Sequence, residues 1–216
     1  MKPFLAPRCI FQNLAGRLRE GRPSTFVILG DSISAGASAT AREALPPYSP
    51  TWAELFADKV RHGSSAPVRL KNYSLGGMDS AWGRTYAPFF FRTSPPDLLI
   101  AGFGMNDRRR YTPDQFQENI ASIIAAARAA NPLCAVILIS SMRNNPLCGD
   151  QEHLDQFRQA LKSLEKDGIR VADMTAVTDR LLQRKTYFDL TGNGVNHPND
   201  YLIRWYAETI FNAFNH

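Results

Sequence analysis

Five short apolar runs punctuate this chain, with helix-like stretches between them, and that alternation restricts the fold more than any other feature. Thr25-Phe26-Val27-Ile28-Leu29 is continuous and apolar, the composition of a strand buried on both faces. Val68 to Leu75 alternates less cleanly and ends in the turn signal Gly76-Gly77. Asp97 to Phe103 holds Leu98-Leu99-Ile100, Ala135 to Ile139 is wholly apolar, and Ile169-Arg170-Val171-Ala172 closes the set. Runs of this kind need cover on both sides, and the intervening helices supply it. The pattern predicts an α/β fold, a three-layer α/β/α sandwich on a five-stranded parallel sheet.

The helices carry their own start and stop signals. Thr112-Pro113-Asp114-Gln115 combines an N-cap hydroxyl, a proline at the first helical position and a capping-box glutamine. Phe116, Ile120, Ile123, Ile124 and Ala127 follow at helical spacing until Asn131-Pro132. Leu154, Phe157, Leu161 and Leu164 share a face of a second helix that is expected to end at Gly168. Trp52, Leu55, Phe56 and Val60 mark an earlier helix, and Leu202, Trp205, Tyr206 and Ile210 the last.

A chain of 216 residues suits one domain with a full-sized core, and no repeat, linker or low-complexity segment divides it. Residues 1–22 are expected to form an arm or short helix, with Ile10, Leu14 and Leu18 on one side, packed on a domain spanning 23–216. That arm lacks the layout of a signal peptide, though a cleaved one leaves no trace, so cytoplasmic and secreted or periplasmic locations stay open. No apolar run approaches the roughly 18 residues of a membrane span, and no membrane partner is expected. The net charge of +5 is dense only at Arg108-Arg109-Arg110, and no nucleic-acid motif accompanies it, so no nucleic-acid partner is expected either. Cys9, Cys134 and Cys148 have no metal-ligand spacing.

In an open parallel sheet the loops leaving the carboxyl ends of the strands gather on one edge, where ligands bind. Gly30-Asp31-Ser32-Ile33-Ser34 follows the first run, Gly77 the second, and Gly104-Met105-Asn106-Asp107 the third. His197, in Asn196-His197-Pro198, follows the fifth. Ser32 is expected at the mouth of a helix, whose amides favour negative charge. A serine at its free pKa is a poor nucleophile and needs a base within reach. Taken singly, Ser32 suits an N-cap, Asn106 and Gly77 suit turns, and His197 suits a surface position. Their convergence on one rim favours a site with a nucleophile, a base and hydrogen-bond donors.

These residues resemble the GDSL/SGNH hydrolase family, named for Ser, Gly, Asn and His in four blocks. The likeness runs from about Thr25 to the C-terminus, with Asn72-Tyr73-Ser74-Leu75-Gly76-Gly77 as the second block. It implies a flavodoxin-like fold and a serine esterase that needs no cofactor or metal. Ser32 becomes the nucleophile and His197 the general base. The backbone N–H of Gly77, the Asn106 amide and the N–H of Ser32 become oxyanion donors. Asp31 and Asp107 are expected to organise loops by accepting backbone N–H groups. Asp31, Trp82, Arg84 and Arg108 are also carried as candidate substrate-binding residues.

One position departs from the family. The aspartate usually found three residues before the histidine is Gly194 here, with Asn193 one residue earlier. A backbone carbonyl accepting from the imidazole, giving a Ser-His dyad, is the first expectation for what orients His197. Asp189 is the second and Asp200 the third. Asp189, Thr191, Asn193, Gly194 and Asp200 partly echo a calcium loop, but threonine at position three and aspartate at twelve weaken it. The family spans several ester classes. Trp82, Arg84 and Tyr86 near the rim suit sugar rings, so a carbohydrate O-acetylesterase acting on a glycan or small-molecule ester is expected. A lysophospholipase or acyl-thioesterase of the same family, or a non-catalytic sugar- or partner-binding module derived from it, is the alternative. Oligomeric state is left open.

Overall fold

The computed structural model describes residues 9–64, 66–149 and 151–215. The first eight residues of the expected N-terminal arm lie outside that range. Five strands, β1 (Ser24–Gly30), β2 (Val68–Asn72), β3 (Leu98–Gly102), β4 (Ala135–Ser140) and β5 (Ile169–Asp173), form one sheet. All pairings are parallel and the strand order is β2-β1-β3-β4-β5. Such an order reverses direction between β1 and β3, and the crevice beyond their carboxyl ends is where open α/β sheets bind ligands.

Among the described residues seven α-helices cover the sheet: α1 (Ile10–Arg19), α2 (Trp52–His62), α3 (Ser80–Thr93), α4 (Pro113–Ala130), α5 (Gln151–Ser163), α6 (Met174–Leu182) and α7 (Asp200–Asn215). Alternation along β1 divides the core. Phe26 and Ile28 join Phe11, Trp52, Phe56 and Tyr206, from α1, α2 and α7, on one face. Val27 and Leu29 join Phe91, Phe116, Ile123 and Phe157, from α3, α4 and α5, on the other. β3 and β4 are buried throughout, whereas β2, at an edge, exposes most of its residues. That edge position explains the untidy pattern of Val68 to Leu75.

Three local features differ from the sequence expectation. The chain after Ser32 forms a succession of turns, with Ala35 N–H on Asp31 O and Ala37 N–H on Ser32 O, and no α-helix begins before Trp52. Helix α3 carries Pro88 in its interior and a run of aromatics, both poor helical signals; it is sustained by the Asp79 N-cap and by burial of Ala87 and Phe91. Helix α5 stops at Ser163, because Gly168 (φ +75) instead turns the chain into β5.

Candidate active site

Ser32 leaves the end of β1 where the sheet is tightest. Gly30 pairs with Gly102, and a Cβ on Gly30 would stand 2.4 Å from both Gly102 O and Ser34 Oγ. The two glycines let the Ser34 hydroxyl fit between the strands, where it reaches Gly102 O at 3.3 Å. Asp31 points beneath the loop, 2% exposed, and accepts the Ile33 N–H at 2.9 Å. Burial, helped by the nearby Asp107 charge, outweighs that bond and pushes its carboxyl up to about 7. Its contacts are those of a loop organiser. Ser32 itself stays half-buried, and its Oγ lies 2.9 Å from Nε2 of His197.

The second block lies against this loop. Asn72 donates from Nδ2 to Ser34 O at 2.8 Å and accepts the Ser74 N–H, so it ties the block to the serine turn. Leu75 N–H reaches Gly30 O, and a Cβ on Gly76 would come within 3.8 Å of the Ser32 Cβ. Gly77 has φ +79, a left-handed conformation, and open space around its α-carbon. It is a glycine for backbone conformation, not for crowding. Asn106 donates from Nδ2 to Met78 O at 2.8 Å, which places its amide beside the Gly76-Gly77 turn.

Two carboxylates brace that side from below. Asp107, fully buried, accepts the N–H of Ser80 at 2.9 Å and of Gly104 at 3.0 Å, joining the second block to the third. Burial raises its pKa, against the opposing pull of Ser80 and Gly104. Asp79 caps α3 through the Trp82 N–H and receives Arg110 Nη1 at 2.6 Å and the Tyr111 hydroxyl at 3.3 Å. Burial acts to raise its pKa as well, but the Trp82 N–H and the Arg110 guanidinium hold it below the usual range.

The histidine loop is pinched between Thr191 and Pro198, which form a β-bridge, and Gly192 N–H closes on His197 O at 3.0 Å. Oδ1 of Asn193 accepts three N–H groups, from Val195, Asn196 and His197, at 2.9–3.0 Å. Asn145 secures the loop from β4, donating its Nδ2 to Gly194 O and its N–H to Val195 O. The Tyr187 hydroxyl also donates to Val195 O. Gly194, at the family's aspartate position, has φ +69, and a Cβ there would meet the Phe188 ring at 3.5 Å.

Neither carboxylate expected near His197 is bonded to its ring. Asp189 closes a capping box on Thr186, taking its N–H at 2.7 Å and its hydroxyl at 2.8 Å. Asp200 takes the N–H and hydroxyl of Thr40 at 3.0 and 2.6 Å. Among the described residues no backbone carbonyl is hydrogen-bonded to the imidazole. Burial lowers the His197 pKa below 6.5, and the charge of Glu43 opposes that shift.

The remaining candidates lie further from the serine's own contacts. Trp82, half-buried against the core, meets the rings of Tyr86 and Phe90 at a tilt, with centroid distances of 5.4 and 6.0 Å. Arg84 reaches Asn119 Oδ1 at 3.4 Å. Arg108 is 8% exposed and donates to Met105 O, so its guanidinium stabilises the loop that carries Asn106. Sequence reasoning placed Asn72 in the second block without a contact of its own and missed Asp79, Asn145 and Tyr187; their work depends on long-range contacts. Asn193 had a legible signal, an asparagine opening a Gly-rich loop, where such side chains accept from following N–H groups.

A family model described as the GDSL-like Lipase/Acylhydrolase family matches residues 28–201. Thioesterase 1/protease 1/lysophospholipase L1 of Escherichia coli is 30% identical over 114 residues, 52% of this chain and 50% of that protein. Esterase TesA of Pseudomonas aeruginosa is 29% identical over 112 residues, 51% of this chain and 52% of that protein. The chain spans about half the length of the curated relatives it matches. A two-domain esterase active on acetylated mannans superposes with a TM-score of 0.77 at 19% identity, over 95% of this chain and 52% of that one. An acetyl-xylooligosaccharide esterase from Geobacillus gives 0.73 at 16% identity, over 89% and 94% of the two chains. At these identities the superpositions establish the shared fold. The matched segment runs from β1 into α7 and encloses Ser32, Gly77, Asn106 and His197, and the chain belongs to the GDSL-like lipase/acylhydrolase family.

Proposed function

We propose that this chain is a serine esterase that removes small acyl groups, acetyl foremost, from carbohydrate hydroxyls. The observation that carries the reading is the 2.9 Å hydrogen bond between Ser32 Oγ and His197 Nε2, at the switch point of the sheet. In this scheme Nε2 takes the hydroxyl proton as Oγ attacks the ester carbonyl. The N–H groups of Ser32 and Gly77 and the Asn106 amide receive the charge that develops on the carbonyl oxygen. The protonated His197 then gives its proton to the departing alcohol, and water repeats the sequence to release the acid.

The alcohol must leave from the His197 side, and an open hollow adjoins the histidine loop there. Ser38, Thr40, Glu43, Asp200 and Tyr201 line it together with the apolar Leu45, and its hydroxyls, carboxylates and aromatic ring suit a polyol. Two structural neighbours, an esterase active on acetylated mannans and an acetyl-xylooligosaccharide esterase, support the same class. A longer acyl chain is the second reading. Leu75, Leu147 and Phe188, at 52%, 92% and 67% exposure, lie on loops of the same rim.

Acetate release from a panel of acetylated glycans, wild type against Ser32→Ala, tests the proposal. Release by the wild type alone supports it; equal release by both proteins removes Ser32 as the nucleophile. Turnover of 4-nitrophenyl octanoate ahead of 4-nitrophenyl acetate moves the reading to the longer acyl chain.

A further inference from the structure

For His197 to accept a proton at Nε2, its other ring proton must sit on Nδ1, and the positive ring that forms needs a compensating charge. The histidine loop supplies none: Gly194 has no side chain, and Asp189 and Asp200 are committed to Thr186 and Thr40. We propose that Glu43, exposed on the loop between β1 and α2, serves His197 as a positioning residue, stabilising the charged imidazole from across the seam between the two loops. The inference rests on the Ser32–His197 reading above.

The two loops form one unit. A Cβ on Gly192 would stand 2.6 Å from the Ser38 Cβ, so the histidine loop seats directly on the serine loop. Asp200 clamps Thr40 with two hydrogen bonds, and the Thr40 hydroxyl in turn receives the Ser49 N–H at 2.8 Å. Ser38 N–H points at Glu43 Oε1, 3.4 Å away. Glu43 shares the walls of one hollow with Ser38, Gly192 and Asn199. The carboxylate therefore stands at the seam between the two loops. Ser38, Ala44 and Tyr48 all have positive φ, at 65°, 55° and 58°. Non-glycine residues hold that conformation only where surrounding contacts over-determine the path.

The charged groups on the segments around the ring are Arg42 and Glu43 on the serine loop, Lys185 and Asp189 before the histidine loop, and Asp200 after it. Lys185 lies 4.8 Å from the centre of the Tyr201 ring. Tyr187 is engaged with Val195 O. Burial lowers the His197 pKa, and among these groups Glu43 is the one whose charge acts to raise it.

The test compares wild type, Glu43→Gln and Glu43→Asp with 4-nitrophenyl acetate, which carries no sugar, and with an acetylated glycan, across the acidic pH range. Glu43→Gln is expected to lower kcat/KM about 5- to 10-fold, the size of one partly screened charge. Its acidic limb moves to lower pH, because the neutral base then binds its proton less tightly, and Glu43→Asp keeps more of both properties. Three outcomes overturn the inference: unchanged rate and limb, a lower rate with an unmoved limb, or a loss confined to acetylated glycans. The last assigns Glu43 to the polyol instead. An active wild type with an indifferent Glu43→Gln overturns this inference alone, whereas a wild type that hydrolyses no ester overturns the Ser32–His197 reading with it.

Discussion

On the Gly77–Asn106 side of Ser32 the loops are braced from beneath by carboxylates that water hardly reaches, whereas on the histidine side the bracing lies nearer the surface. Asp107 and Asp79 are 0% and 6% exposed, and each joins segments from different strands. Asn193, Asp200 and Thr40 do the corresponding work for His197 from exposed or half-buried positions. The contrast follows the chemistry. Oxyanion donors work because they need not reorganise as charge appears. In the proposed mechanism the histidine changes its protonation state and the alcohol leaves past it, which requires the loop to have access to solvent.

The largest effect expected from this contrast is on the braced side. Asn106→Ala removes one proposed oxyanion donor and should lower kcat by about 100- to 1000-fold while leaving thermal stability nearly unchanged. Steady-state kinetics with a melting curve read both quantities, and a loss of activity matched by a large loss of stability would make Asn106 a structural residue. Asp107→Ala strands the buried N–H groups of Ser80 and Gly104 and should cost about 2–4 kcal/mol in chemical denaturation.

Asp31 sharpens the same comparison through pH. Its carboxyl, raised from 3.8 to about 7 chiefly by burial, keeps its proton in the folded state after the unfolded chain has lost it. Stability should therefore fall as pH rises through that window, and Asp31→Asn should flatten the slope. An unchanged slope in denaturation measured across pH 4–7 breaks the account of a buried, protonated acid on this side.

Smaller effects are expected across the site. Asn193→Ala leaves three N–H groups to water and should cost about 0.5–1.5 kcal/mol, with a larger proportional loss of kcat as His197 loses its set position. A stability loss equal to that of Asp107→Ala would erase the difference between the two sides. The wild-type kcat/KM should fall on acidification with a midpoint below 6.5, since burial lowers the His197 pKa and the base works when neutral. A midpoint above 6.5 would mean that the ring is more strongly paired than its surroundings indicate.

What the sequence made legible follows the same division. The central strands are buried on both faces, so their apolar runs are unbroken, and the sheet could be read from them directly. Gly76-Gly77 and Gly104-Met105-Asn106-Asp107 are local signals whose geometry is set within a few residues; Gly76 lies against Ser32, and Asn106 is bonded to Met78 beside that turn. Helix α3 was hidden because Pro88 and its aromatics carry little intrinsic helical preference; its capping residue and packing sustain it. The partners of His197 were harder still. Asp189 and Asp200 are near in sequence, but their oxygens are claimed by Thr186 and Thr40, and the second pairing spans 160 positions. Glu43, proposed above to act on His197, is distant along the chain, and its loop meets the histidine loop only in the folded protein.

Fluorophosphonate labelling, mapped by peptide mass spectrometry, tests the central assignment most directly, because it requires an activated serine but no knowledge of the natural ester. Folded wild-type protein should carry the adduct on Ser32, at a rate that drops sharply in His197→Ala. A folded wild type that stays unlabelled, or is modified at another serine, contradicts the Ser32–His197 pair as nucleophile and base.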